Sequence, residues 1–256
     1  MRDAFRRALA DPTNLIRRAL GVPALERDTL LAIVAVAVLL LLFGLVAEAV
    51  AVGGTHDLDR LLLLSLREAS NAADPIGPPW LEEAMRDLSA MGSTAVLTFI
   101  TLAVVGYLAV TRRGNAAMMV LGAVISGTIV GQIMKIGFSR PRPDLVPHAT
   151  EVFTASFPSG HAMMAAVVYL TLGALLARTE ARRRVKSYVI SIAAVLTLLV
   201  GLSRIYLGVH WPSDVVAGWA LGAGWSALAW LTMLWLQGRG KVEHEGLTES
   251  GRPPVG

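Results

Sequence analysis

The chain has 256 residues, of which 54% are hydrophobic and 16% charged, with a formal net charge of +4 and a mean hydropathy of +0.58. Soluble domains carry roughly 25% charged residues, so this composition excludes a disordered chain, a fibrous protein and a nucleic-acid-binding tail, and points to a bilayer as the solvent. The absence of cysteine excludes a disulfide framework, a thiolate metal site and a cysteine nucleophile.

Residues 1–29 form a basic segment, expected to be cytoplasmic. A spanning helix takes about 20 mostly apolar residues, and the first run of that kind covers 30–52, with Glu48 as its only charge. It is too long for a signal-peptide core and lies behind a long basic stretch, so no cleavable signal is expected. Residues 53–92 follow. Within them Trp80, Ala84, Met85, Leu88 and Met91 fall on one helical face, and Glu82, Glu83, Arg86 and Asp87 on the other. Pro79 suits a first helical position, and the pattern predicts an interfacial helix along the membrane surface. Further spans are expected at 93–110, 116–134, 162–177, 188–202 and 215–236. The segment 135–161 has little apolar periodicity, and loops of that length in compact proteins are commonly functional. Gly127 with Gly131, and Gly218 with Gly222, form small-residue pairs that let helices approach closely. The tail 237–256 is polar, rich in glycine and proline, and is expected to be disordered.

The fold expected is thus all-α: a polytopic six-transmembrane-helix bundle with an interfacial helix between spans 1 and 2. The membrane domain covers 30–236. With both termini inside, 16 of the 23 basic residues lie on the cytoplasmic side and 7 outside, as the positive-inside rule requires. The expected localisation is the inner (plasma) membrane.

Against that frame, the polar residues of the outer loops stand out. The third span ends in Lys135, followed six residues later by Arg142-Pro143. The next loop ends in Pro158-Ser159-Gly160-His161. The fifth span ends in Ser203-Arg204, followed by His210 and, four residues on, Asp214. All three groups fall on one membrane face. Lys135, Arg142 and Arg204 supply three positive charges against a phosphate's two negative ones, with arginine able to bind two oxygens through its fork. The Ser159 hydroxyl and Gly160 amide add donors at a helix start. A carboxylate at Asp214 fixes the tautomer of His210 and raises the nucleophilicity of its other nitrogen. His161 is placed to protonate a leaving alkoxide. The carboxylates are too few for a two-metal site, and no metal is expected.

This arrangement resembles the type 2 phosphatidic acid phosphatase (PAP2) superfamily. The three motifs are Lys135 to Pro143, Pro158 to His161 and Ser203 to Asp214, within a core of about 93–236. The resemblance implies His210 as nucleophile through a phosphohistidine intermediate, Asp214 as its support and His161 as general acid. Lys135, Arg142, Ser159, Gly160 and Arg204 would hold the phosphate. It implies no cofactor, a site on the non-cytoplasmic face, and a lipid phosphate as substrate: phosphatidic acid, phosphatidylglycerol phosphate or undecaprenyl diphosphate. Membrane lipids are the expected surroundings and nucleic acid is not a partner; oligomeric state stays open. A lipid phosphotransferase would use the same residues. A non-catalytic lipid-phosphate transporter would need the cations but not the His–Asp pair. The haloperoxidase branch of the superfamily is soluble and does not fit six spans. Arg140 and Asp144 are expected to touch substrate or each other, His148 to be a loop residue, His56 and His244 to be surface residues, and Glu48 to be structural.

Overall fold

The computed structural model describes residues 27–144 and 155–238. The N-terminal basic segment up to residue 26, His148, and the tail from 239 onward with His244 lie outside the described residues.

Among the described residues the chain forms eight helices. The first, α1 (Arg27–Ala51), is apolar all round. Its long side chains face outward, with Leu41 63% exposed, as lipid contact demands. Above it lie α2 (His56–Leu64), a short antiparallel hairpin of β1 (Arg67–Glu68) and β2 (Asn71–Pro75), and α3 (Pro79–Ala90). Then come α4 (Thr94–Val110) and α5 (Gly114–Phe138). They are followed by α6 (Gly160–Thr179), which contains a π turn at Ala166–Leu170. The last two are α7 (Arg183–Tyr206) and α8 (Pro212–Gly238). Five helices are long and apolar enough to cross a membrane on their own, and α3 with α4, bent by 48°, makes a sixth candidate. At that bend Ser93 caps α4 by accepting the Val96 N–H at 3.3 Å. A Cβ at Gly92 would collide with the Val200 side chain, so the joint packs against α7.

The segment between the first two spans holds more than the expected helix, which is present as α3. It comprises two helices and a hairpin that cap one end of the bundle. The apolar face of α3 does not turn to lipid. Leu81 and Met85 pack on Tyr206, Leu207 and Val209 at the end of α7, while Trp80 remains exposed. Burial against protein competes with burial against lipid, and here the exposed apolar end of α7 is the nearer surface. The cap is also tied down by polar contacts. Arg67 Nη2 donates to the Tyr206 carbonyl at 2.6 Å, a cation on a helix C-terminus. The Tyr206 hydroxyl donates to the Ile76 carbonyl at 2.7 Å.

α6 is the central strut, with most of its span buried. Ala165, Val168 and Tyr169 pack with Leu97 of α4 and with Ala193 and Val200 of α7. On its other side α8 approaches so closely that a Cβ at Gly218 would lie 2.8 Å from the Ser159 carbonyl oxygen, and one at Gly222 would clash with the Met163 carbonyl. Backbone cannot move aside as a side-chain tip can. Gly222→Ala is therefore expected to destabilise the protein by about 1–3 kcal/mol, the cost of overpacking, read as a lowered midpoint of thermal unfolding in detergent. Gly122→Ala, which meets nothing within 4 Å, is the control expected to leave that midpoint in place.

Candidate active site

Each of the three motif segments reaches the capped end of the bundle by a distinct local device. Ser139 adopts φ 43°, in the left-handed region, and its N–H closes on the Lys135 carbonyl at 3.1 Å, which ends α5 one turn beyond Lys135. The following Pro141 and Pro143 hold the chain extended, and Pro143 is fully buried. The loop before α6 is fastened to α8 by the Ser159 N–H donating to the Asp214 carbonyl at 3.0 Å. His210 lies in the five-residue connection between α7 and α8, and Asp214 in the first turn of α8.

His210 is almost wholly enclosed. Its Nε2 sits 3.1 Å from Arg142 Nη1. Arginine only donates, so Nε2 is the unprotonated nitrogen and the proton is assigned to Nδ1. That Nδ1 lies 3.4 Å from Asp214 Oδ2, within ion-pair reach but without a well-formed hydrogen bond. Burial pushes the His210 imidazole down to about 4, although Asp214 pulls the other way. The ring is therefore neutral over the physiological range. Arg142 also donates to the Val209 carbonyl at 2.7 Å; burial lowers its guanidinium, with Asp214 again opposing.

Six of the eight residues expected in the site line one cavity of ≈ 510 Å³: Lys135, Arg142, Gly160, His161, Arg204 and His210. Ser159 and Asp214 are fully buried behind it. A Cβ at Gly160 would meet Lys135 Nζ at 3.6 Å, so the ammonium lies against the start of α6. Among the described residues, four buried side-chain polar atoms lack a hydrogen-bond partner. Three of them, Ser159 Oγ, Arg204 Nε and His210 Nδ1, belong to this site. Buried polar groups are nearly always paired; His210 Nδ1 faces Asp214, while Ser159 Oγ and Arg204 Nε beside three cations fit a pocket built for an anion. The cavity continues between the spans, bounded by Leu97 and Thr98 of α4, Val124 and Thr128 of α5, and Met163 and Met164 of α6.

The structure adds residues that the sequence reading missed. Ser89 of α3 accepts from Arg204 Nη1 at 2.6 Å. Arg140 does not pair with Asp144, which is exposed. Instead it reaches Asp214 Oδ1 at 2.6 Å and Asp59 Oδ2 at 2.8 Å. Neither Arg140 nor Asp144 lines the cavity. Among the acids of the first outer segment nothing in the sequence singles out Asp59, whose partners lie 81 and 154 positions away. His56 is exposed, as expected, with its ring 5.8 Å from that of Trp211, and Glu48 is exposed as well.

A bundle of membrane-length helices that gathers three cations and a His–Asp pair at one end defines an integral membrane phosphatase. Comparison with known proteins sharpens the class. Residues 116–238 match the model of the PAP2 superfamily. A phosphatidylglycerophosphatase B of Bacillus subtilis is 33% identical over 188 residues, covering 72% of this chain and 87% of that protein. An undecaprenyl-diphosphatase of Sulfolobus acidocaldarius is 34% identical over 119 residues, 46% of this chain and 48% of that one. The crystal structure of the transmembrane PAP2-type phosphatidylglycerolphosphate phosphatase from Bacillus subtilis superposes with a TM-score of 0.71 at 27% identity, covering 78% of this chain and 96% of that chain. The chain belongs to the PAP2 superfamily.

Proposed function

We propose that the protein hydrolyses a lipid phosphomonoester, with phosphatidylglycerol phosphate as the favoured substrate, through a phosphohistidine on His210. The observation that carries this reading is the orientation of His210, with Nδ1 toward Asp214 and the Nε2 lone pair facing Arg142, inside a cavity that also holds Lys135 and Arg204. The phosphate draws Arg142 onto its own oxygens and takes its place before Nε2. Nε2 then forms the P–N bond as the lipid P–O bond breaks, and His161 gives its proton to the departing lipid oxygen. Water next attacks phosphorus, the P–N bond breaks, and the water proton returns to His161. Lys135, Arg142 and Arg204 hold the charge that collects on the equatorial oxygens. Gly160 lets the chain come close to the phosphate, and Ser159 lies behind it as a further donor.

A lipid substrate is supported by the shape of the cavity. Its lower part is bounded by α4, α5 and α6 side chains, Leu97, Val124, Met163 and Met164 among them, so apolar surface for a lipid chain adjoins the cations. Similarity to a phosphatidylglycerophosphatase over 72% of this chain and 87% of that protein favours this headgroup. The charge asymmetry of the loops supports cytoplasmic termini and a site on the outer face. The test is phosphate release in detergent from phosphatidylglycerol phosphate, phosphatidic acid and undecaprenyl diphosphate, with glycerol 3-phosphate as the chain-free control. Release is expected to be fastest from phosphatidylglycerol phosphate. Glycerol 3-phosphate is expected to react at least about 10-fold more slowly, because chain binding lowers the barrier for the tethered headgroup. Release from none of the three lipids would sink the reading.

A further inference from the structure

Asp214 shares its carboxylate among three groups. Oδ2 accepts the Trp211 N–H at 3.0 Å and faces His210 Nδ1, while Oδ1 is taken by Arg140 Nη1 at 2.6 Å. A guanidinium this close, with Asp214 itself fully buried, would by itself cancel the negative charge that His210 needs nearby as it becomes cationic. The structure answers with a second buried acid. Asp59 of α2, 2% exposed, accepts from Arg140 Nη2 at 2.8 Å. It also takes the Ser213 N–H at 2.8 Å and the Ser213 hydroxyl at 2.6 Å. Thr55 completes the set by accepting from Arg140 Nη2 at 3.2 Å. The triad Asp59–Arg140–Asp214 thus carries one net negative charge, where Arg140–Asp214 alone would carry none.

We propose that Asp59 is a positioning residue for catalysis: by balancing Arg140 it leaves Asp214's charge available to His210, and by binding Ser213 it holds the first turn of α8. Neither Asp59 nor Arg140 lines the cavity, so the pair acts through Asp214 and does not touch substrate. Both Thr55 and Asp59 lie outside the residues 116–238 that match the family model. The segment after the first span is therefore part of the catalytic apparatus in this chain. The inference rests on the assignment of His210 as nucleophile.

The charged and titratable groups facing His210 are Asp214 on α8, Arg142 on the loop after α5, Lys135 on α5, His161 on α6 and Arg204 on α7. None of these changes in the variants below. In the full-length protein in detergent, Asp59→Asn is expected to lower kcat by about 10- to 100-fold, the range typical of residues that orient a functional shell. KM should change little. The acidic limb of kcat/KM should move to lower pH, since removing a nearby negative charge makes the imidazole harder to protonate. The double variant Asp59→Asn with Arg140→Gln removes both charges, and its limb should move back toward that of the parent. A purely structural role predicts no such reversal. An unchanged kcat and limb in Asp59→Asn overturns the proposal, as does a limb that stays displaced in the double variant. His210→Ala run alongside separates the two ideas. Turnover in that variant overturns the nucleophile, whereas an inactive His210→Ala beside a fully active Asp59→Asn overturns the positioning role alone.

Discussion

His210→Ala is expected to abolish phosphate release, with a loss of at least about 10⁴-fold, the scale seen when a covalent nucleophile is deleted. The same substitution is expected to remove the acid-labile phosphoenzyme that rapid quenching should trap in the parent. The expectation follows from geometry. His210 Nε2 presents a lone pair in the cavity, and its ring is backed by the Asp214 carboxylate. The ring is also kept ready. Burial places its folded value at about 4, below the ordinary 6.5, so the nucleophile is protonated only in strong acid. The acidic limb of kcat/KM therefore falls near pH 4, while a limb near pH 6 belongs to the second ionisation of the phosphate monoester. The same depression has a sign for stability. The unfolded chain binds the extra proton first, so the contribution of burying a neutral His210 is complete above about pH 6.5 and is lost as pH falls toward 4. Turnover in His210→Ala at a tenth of the parent rate or better would overturn the mechanism.

Arg204→Ala is expected to reduce kcat/KM by about 10³-fold, the lower end of what removal of a phosphate-clamping arginine costs. Arg204 is buried at the end of α7. One arm is held by Ser89 Oγ, and the Nε has no partner, so the fork is aimed and partly unspent. A lysine restores the charge but cannot hold Ser89 and a phosphate oxygen together, and Arg204→Lys should recover less than a tenth of the loss. Ser89→Ala leaves the charge and frees its orientation, with an expected loss of about 10-fold, in keeping with a single charge-assisted hydrogen bond. Steady-state kinetics with thermal unfolding in parallel checks all three. If Arg204→Ala keeps more than a tenth of the parent kcat/KM, the clamp is misassigned.

The extent to which sequence foretold these features varies with the physics of each. Five of the helices carry runs of apolar residues that a bilayer requires, and their placement in the fold follows those runs closely. The second span is the exception. At 17 residues α4 is short, and it becomes a full crossing only with α3, whose apolar face was expected on lipid and is found on Tyr206, Leu207 and Val209. Amphipathicity says that a face is buried, not what buries it. The chemistry-bearing residues were legible because their spacing within each motif is local. That Lys135, Arg142, Gly160, His161, Arg204 and His210 line one cavity was foreshadowed only by their shared membrane face. Ser159 and Asp214 were expected on that same face, and only their full burial behind the cavity wall was not foreseen.

The sequence by itself determined the membrane class of the protein, the order of its spans and the inventory of its phosphate chemistry. Those depend on apolar runs, on the distribution of basic residues and on short spacings, all properties of neighbours along the chain. The tertiary structure decided who neutralises whom. Asp59 meets Arg140 across 81 positions and Ser213 across 154, and Ser89 meets Arg204 across 115. In a buried, low-dielectric pocket such pairings set the charge that each catalytic group feels, and they exist only once the cap of α2, the hairpin and α3 has closed over the end of the bundle.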